Sequence, residues 1–242
     1  MEKDYKHIKI LIVGKSPYDP TNGKYRNLKY CEVFNFIECG IVPSIEKNCS
    51  PAKKCQKPDY ESNELEKRLK LFDDIAFVPI TKGDYSEWNI KVYVRILAFL
   101  RYTFMNKGSF KIPLENPQKE LKEENEDILP IISCLVEQGI YLVNKTELDN
   151  KKAVKKLQEQ NHIKYICFGN DAADFIKSKI FNANDKYKEI CNVIEYPHPS
   201  PQVNHPFWDQ LIKPKRKYDD LERAKKLCDN IDNCYEDLRE TK

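Results

Sequence analysis

The sequence predicts an α/β fold of three layers, α/β/α, around a central, mostly parallel sheet of four or five strands. Runs of β-branched and apolar residues stand at 8–13, 75–80, 140–143, 163–168 and 191–196. Helical periodicity interleaves with them at 64–73, 90–104, 151–160 and 171–180. Strands that alternate with helices pair in parallel and are covered on both faces.

The first element, Ile8-Lys-Ile-Leu-Ile-Val, empties into Gly14-Lys15-Ser16-Pro17-Tyr18, a turn in which side chains can face a ligand. Residues 46–62, rich in Cys, Pro and Lys, read as an irregular loop, and 105–127, with Gly108, Pro113, Pro117 and a charge run, as a solvated loop or linker. The last strand, Val193-Ile-Glu-Tyr, runs into the rigid turn Pro197-His-Pro-Ser-Pro201. In an open parallel sheet the ligand lies beyond the carboxyl ends of the strands. Gly14 to Tyr18, Asn144, Gly169-Asn170 and His198 each follow a strand, so separate parts of the sequence converge on one rim. Towards the end, Leu221, Ala224, Cys228, Ile231, Tyr235 and Leu238 recur at steps of three and four, which predicts a C-terminal amphipathic helix within 213–242 that packs on the domain or on a protein partner.

The 242 residues suffice for one large α/β domain, and the net charge of +3 permits nucleic-acid binding without arguing for it. There is no 18-residue apolar run, and the first residues, Met1-Glu-Lys-Asp-Tyr-Lys, are polar. The expectation is an intracellular protein, cytoplasmic or nuclear, that is not secreted and has no membrane partner. Nine cysteines without a Cys-x-x-Cys pair predict reduced thiols. Gly14-Lys15-Ser16 matches the end of a phosphate-cradling loop, but Lys9 occupies the position of its first glycine and Pro17 and Tyr18 favour a turn, which argues against a nucleotide triphosphatase.

The two rim motifs resemble those of the uracil-DNA glycosylase superfamily. Motif one of its best-known branch reads Gly-Gln-Asp-Pro-Tyr-His, against Gly14-Lys15-Ser16-Pro17-Tyr18-Asp19 here; motif two reads His-Pro-Ser-Pro-Leu-Ser, against His198-Pro199-Ser200-Pro201-Gln202-Val203. Gly40-Ile-Val-Pro-Ser44 resembles the segment that approaches DNA phosphate, and Gly139-Ile-Tyr-Leu-Val-Asn144 the strand ending in the asparagine that reads uracil. The resemblance spans most of residues 8–205. It implies a uracil-DNA glycosylase-like domain over 1–212, with 45–130 as an elaboration within it. It also implies DNA as the partner, single or double stranded, and hydrolysis of the bond to uracil or another deaminated base. Some relatives hold an iron–sulfur cluster on four cysteines, but the spacing of Cys31, Cys39, Cys49 and Cys55 does not match, so neither metal nor cofactor is expected.

Residue by residue, the resemblance makes His198 the donor to the uracil oxygen that gathers charge as the base departs. Asn144 would read the pairing edge of a base flipped from the stack, Tyr18 would exclude a C5 methyl group, Phe34 or Phe36 would stack on the base, and Lys15 would lie against it. Ser44 and Ser200 would hold phosphates, and Gln202 and Val203 would fill the gap left by the flipped base. Strand 75–80 resembles a pocket strand of divergent relatives and competes with 140–144 for base reading. The catalytic acid of motif one is replaced by Ser16, which cannot carry negative charge beside a cationic sugar. The alternative function is therefore a catalytically impaired DNA- or lesion-binding module. Structural roles compete at each position: His198 as a turn-fixing residue, Tyr18 as core, Asn144 as a cap, and Asp19 and His205 as turn or surface residues.

Overall fold

The computed structural model describes residues 5–15, 25–39, 64–81, 91–104, 128–181, 192–200, 203 and 205–208. In chain order the elements are β1 (Ile10–Gly14), β2 (Tyr25–Lys29), α1 (Tyr30–Cys39), α2 (Glu64–Leu69), β3 (Asp74–Thr81), α3 (Lys91–Phe104), α4 (128–137), β4 (Ile140–Asn144), α5 (Lys145–Leu148), α6 (Lys151–Gln158), β5 (Lys164–Phe168), α7 (Asn170–Lys179) and β6 (Val193–Tyr196). The expected loops at 46–62 and 105–127 and the C-terminal helix at 213–242 lie outside the described residues.

Four strands form one all-parallel sheet in the order β4-β1-β5-β6. β1 is the inner strand on which the register is set: Ile10 stands opposite both Ile140 and Lys164, and Gly14 opposite Asn144. All five residues of β1 and of β4 are buried, as a sheet covered on both faces requires. Helix α7 packs on β1, β5 and β6 and α5 on β4, an arrangement compatible with three layers. Asn150 starts α6 by accepting a hydrogen bond from the Ala153 N–H at 2.8 Å. At the carboxyl end of β5, Phe168 meets Phe99 of α3, Phe77 of β3, Tyr196 of β6 and Trp208, with ring centroids 5.0 to 5.8 Å apart.

Two expectations need correction. The run at 75–80 is a strand, but it pairs antiparallel with β2 in a separate two-stranded ribbon and does not join the central sheet. Pro79 gives the physical reason, because a residue with no N–H does not suit an inner strand paired on both sides. The expectation of reduced thiols also fails in part: Cys31 is disulfide-bonded, while Cys134 and Cys167 are buried thiols.

Side chains close the outer edge of the main sheet. β4 is an edge strand, and its Leu142 would leave a buried N–H and C=O unpaired. The fully buried Tyr30 hydroxyl accepts from that N–H at 2.9 Å and donates to that carbonyl at 3.0 Å. Tyr30→Phe is expected to strand both groups and to lower unfolding stability by about 1–3 kcal/mol per group, measured by the urea midpoint.

Glu147 of α5 ties the start of β3 to the main sheet, its carboxylate accepting the N–H groups of Asp73 at 2.7 Å and Asp74 at 3.1 Å. Burial pushes its carboxyl up to about 7, against the hydrogen bonds that pull it down, with the charges of Asp74 and Asp73 adding to the rise. The folded chain therefore binds this proton more tightly than the unfolded chain. Its contribution to stability is present in full below about pH 4.5 and is lost as pH rises through about 7. Urea midpoints across this window should fall more steeply for the native chain than for Glu147→Gln.

Candidate functional site

A cleft of about 540 Å³ opens at the carboxyl rim of the sheet. Its described walls come from three places: Lys15 just after β1, Phe168 to Asp171 where β5 turns into α7, and Pro197, His198, Ser200 and Val203 after β6. The chain order of these segments is scattered, and the parallel sheet brings them together because every strand ends on the same side.

His198 is held in one chemical state by its surroundings. The Ser200 backbone N–H points at its Nδ1 at 3.0 Å. A backbone N–H can only donate, so Nδ1 is the acceptor, and the proton of the neutral ring sits on Nε2. Burial lowers the imidazole pKa below its ordinary value of 6.5, the Lys15 ammonium lowers it further, and the Asp171 carboxylate opposes them. The ring is therefore neutral near pH 7 and carries an N–H donor on the cleft wall. Gly169 makes the close approach possible: its φ of +87° suits glycine, and a Cβ there would lie 3.1 Å from the Cβ of His198.

Lys15 Nζ lies 2.6 Å from Asp171 Oδ2, with both side chains about half exposed. An exposed pair of this kind contributes little to stability. Its importance is local charge, since the hydrogen bond and charge of Lys15 hold the Asp171 carboxyl below the usual range, with smaller contributions from Lys145 and His198. Asp171 is the one acid among the described residues lining the cleft.

Asn144 ends β4 beside Gly14 at 1 % exposure. It stands at the start of α5, yet its side chain makes no capping hydrogen bond, and its buried Nδ2 has no partner. That arrangement disfavours the capping role. An unpaired buried donor costs about 1–3 kcal/mol.

Phe168 is the aromatic among the described residues lining the cleft, and Phe77 packs behind it against Gly14 and His198. Phe34 and Phe36 are half-buried on α1, packed against the core, and neither lines the cleft. The Phe77 ring centroid lies 6.1 Å from that of His198 and 5.6 Å from that of Phe168. Its ring covers Gly14 so closely that a Cβ on residue 14 would sit 2.6 Å from Cζ. Phe77 also has φ +66°, which is unfavourable for a bulky side chain by about 1–3 kcal/mol and which clusters at functional sites. The similarity of strand 75–80 to a pocket strand was the signal for it.

Of the other expected site residues, Lys15, Ser200 and Val203 line the cleft together with His198. The Ser200 N–H is directed at His198 Nδ1. Ser16, Tyr18, Asp19, Ser44 and Gln202 lie outside the described residues. His205 is exposed, and its Nδ1 accepts the Phe207 N–H at 3.2 Å, a local turn contact. Asp171 was missed, although Gly169-Asn170 beside it was placed on the rim. Among the described residues no cluster of three or more His, Cys, Asp or Glu suits a metal ion, and no helix is long and apolar enough to cross a membrane. No family model, curated protein or solved structure matches this chain.

Gly14→Ala is expected to push the Phe77 ring out of its seat. Because Phe168 backs the ring, overpacking should cost about 1–3 kcal/mol. The ring proton resonances of His198 should shift as the neighbouring aromatic moves; an unchanged urea midpoint together with unchanged His198 resonances would count against this packing.

Proposed function

We propose that the chain is a DNA-base glycosylase, built on a uracil-DNA glycosylase-like fold, that hydrolyses the N-glycosidic bond of uracil or another deaminated base. The observation that carries this reading is the state of His198: a neutral ring with Nδ1 occupied by a backbone donor and Nε2–H left for a ligand on the cleft wall. A neutral donor suits a leaving group on which negative charge develops only as the bond breaks, because it stabilises the transition state more than the bound base. The unpartnered Asn144 amide, at the end of β4 beside Gly14, supports the same reading, since the resemblance assigns that strand end to the residue that reads an extruded base.

In this reaction the oxygen of water forms a bond to the sugar C1′ and the bond from C1′ to the base nitrogen breaks. The bonding pair leaves with the base, the His198 Nε2–H hydrogen-bonds to the base oxygen that takes up the charge, and the proton lost by water passes to solvent. The cationic sugar favours a nearby negative charge. Ser16 does not supply one, and the Asp171 carboxylate on the cleft wall, paired with Lys15, is the candidate for that role.

A second reading is favoured by Ser16 itself: a pocket that binds DNA or a lesion without turnover. Base release from uracil-containing single- and double-stranded oligonucleotides separates the two. The glycosylase reading expects release by the native chain, a loss of about 10²–10³-fold in His198→Ala, and a clear loss in Asp171→Asn. DNA binding without release from any deaminated substrate, with affinity unchanged in His198→Ala, would replace it with the binder.

A further inference from the structure

The segment that carries His198 is gripped from below by α3. Arg95, buried at 5 % exposure, directs Nη1 towards the carbonyl oxygens of Ser200 at 2.6 Å, Val203 at 3.2 Å and Pro199 at 3.3 Å. Its guanidinium carbon lies 5.7 Å from the centroid of Trp208, and the Trp208 indole N–H donates to the His198 carbonyl at 3.1 Å. A buried cation is thus directed at the main-chain oxygens of Pro199, Ser200 and Val203. Of the possible anchors for a surface turn this is an expensive one, since desolvating a guanidinium costs several kcal/mol before its contacts are counted.

We propose that Arg95 is a positioning residue for His198: by holding the Pro199 and Ser200 carbonyls it turns the Ser200 N–H onto imidazole Nδ1 and so keeps the ring proton on Nε2 at the cleft. The Pro199 carbonyl and the Ser200 N–H belong to one planar peptide unit, so fixing the direction of the oxygen fixes the opposite direction of the N–H. A cation on the carbonyl oxygen also polarises the peptide, making its N–H a stronger donor. The chain of contacts runs from guanidinium to carbonyl oxygen, through the peptide bond, and from N–H to Nδ1.

Among the described residues, the other groups around His198 do not select a tautomer in this way. Lys15 after β1 and Asp171 on α7 act on the ring through charge, with opposite signs, and they pair with one another. Lys145 of α5 acts on Asp171, and β3 presents the uncharged Phe77 ring. The proposal rests on the glycosylase reading for its purpose, because that reading needs Nε2–H as the donor, but the hydrogen-bond chain exists in the free protein.

Nitrogen-15 NMR of the imidazoles in the free, full-length chain tests it without DNA, with His198 assigned by its loss in His198→Gln. The native ring is expected to show an unprotonated Nδ1 and a protonated Nε2, staying neutral below the usual histidine midpoint of about 6.5. In Arg95→Met the two tautomers should mix and the midpoint should rise towards that value. Arg95→Lys, which keeps the charge without the planar fork, should move in the same direction by less. A native Nδ1 that carries the proton overturns the proposal even if neither variant folds. So does a folded Arg95→Met with native tautomer and midpoint. A chain that releases no base while Arg95→Met still shifts the tautomer would refute the glycosylase reading and leave the role of Arg95 standing.

Discussion

The parallel pairing of β1 with β4 on one side and β5 on the other is the constraint on which the rest of the molecule depends. It puts the ends of three strands level, so that Gly14, Asn144 and the turn after Phe168 share one rim. β6 extends the same register beyond β5 and brings His198 to that rim as well. The pairing is stable only because both faces of the sheet are buried, and this leaves the strand ends as the place where polar side chains can meet a ligand.

At that rim the structure holds several unfavourable arrangements at once. Asn144 buries an amide donor with no partner, Phe77 adopts a left-handed backbone conformation, and His198 is desolvated in its neutral form. Each of the first two costs about 1–3 kcal/mol, which is large beside a net folding stability of about 5–15 kcal/mol for an ordinary domain. The surrounding core offsets them: Phe99, Phe168, Tyr196, Phe207 and Trp208 form a contiguous aromatic cluster directly beneath the cleft. Rigid packing below and unsatisfied chemistry above is the pattern expected of a site whose geometry must be fixed before a ligand arrives.

The proposed chemistry joins these arrangements into one account. Nδ1 of His198 is occupied, Nε2–H is available, and the charges that flank the ring are balanced between Lys15 and Asp171. An ion pair worth little to folding can still matter at a cleft, because it sets the field in which a leaving group and a sugar cation would develop charge. The replacement of an acid by Ser16 in the sequence then draws attention to Asp171, the carboxylate among the described residues lining the cleft.

By itself the sequence determined the central sheet and its rim. Uninterrupted apolar runs such as Ile10-Leu-Ile-Val and Tyr141-Leu-Val are legible because a strand buried on both faces tolerates little else, and the turns after them mark where those strands stop. The resemblance of its motifs also singled out His198, Lys15, Ser200 and Val203, which line the cleft. Tertiary structure alone decided the rest. β2 and β3 pair antiparallel with each other across about fifty residues of chain, and Pro79, with no N–H, suits that two-stranded ribbon better than an inner strand of the main sheet. Phe77, and not Phe34, packs beside His198 because the missing Cβ of Gly14 makes room for a ring that comes from a distant part of the chain. Arg95 bears on His198 through carbonyls more than one hundred residues away, and no local pattern of residue types encodes a contact that only packing creates.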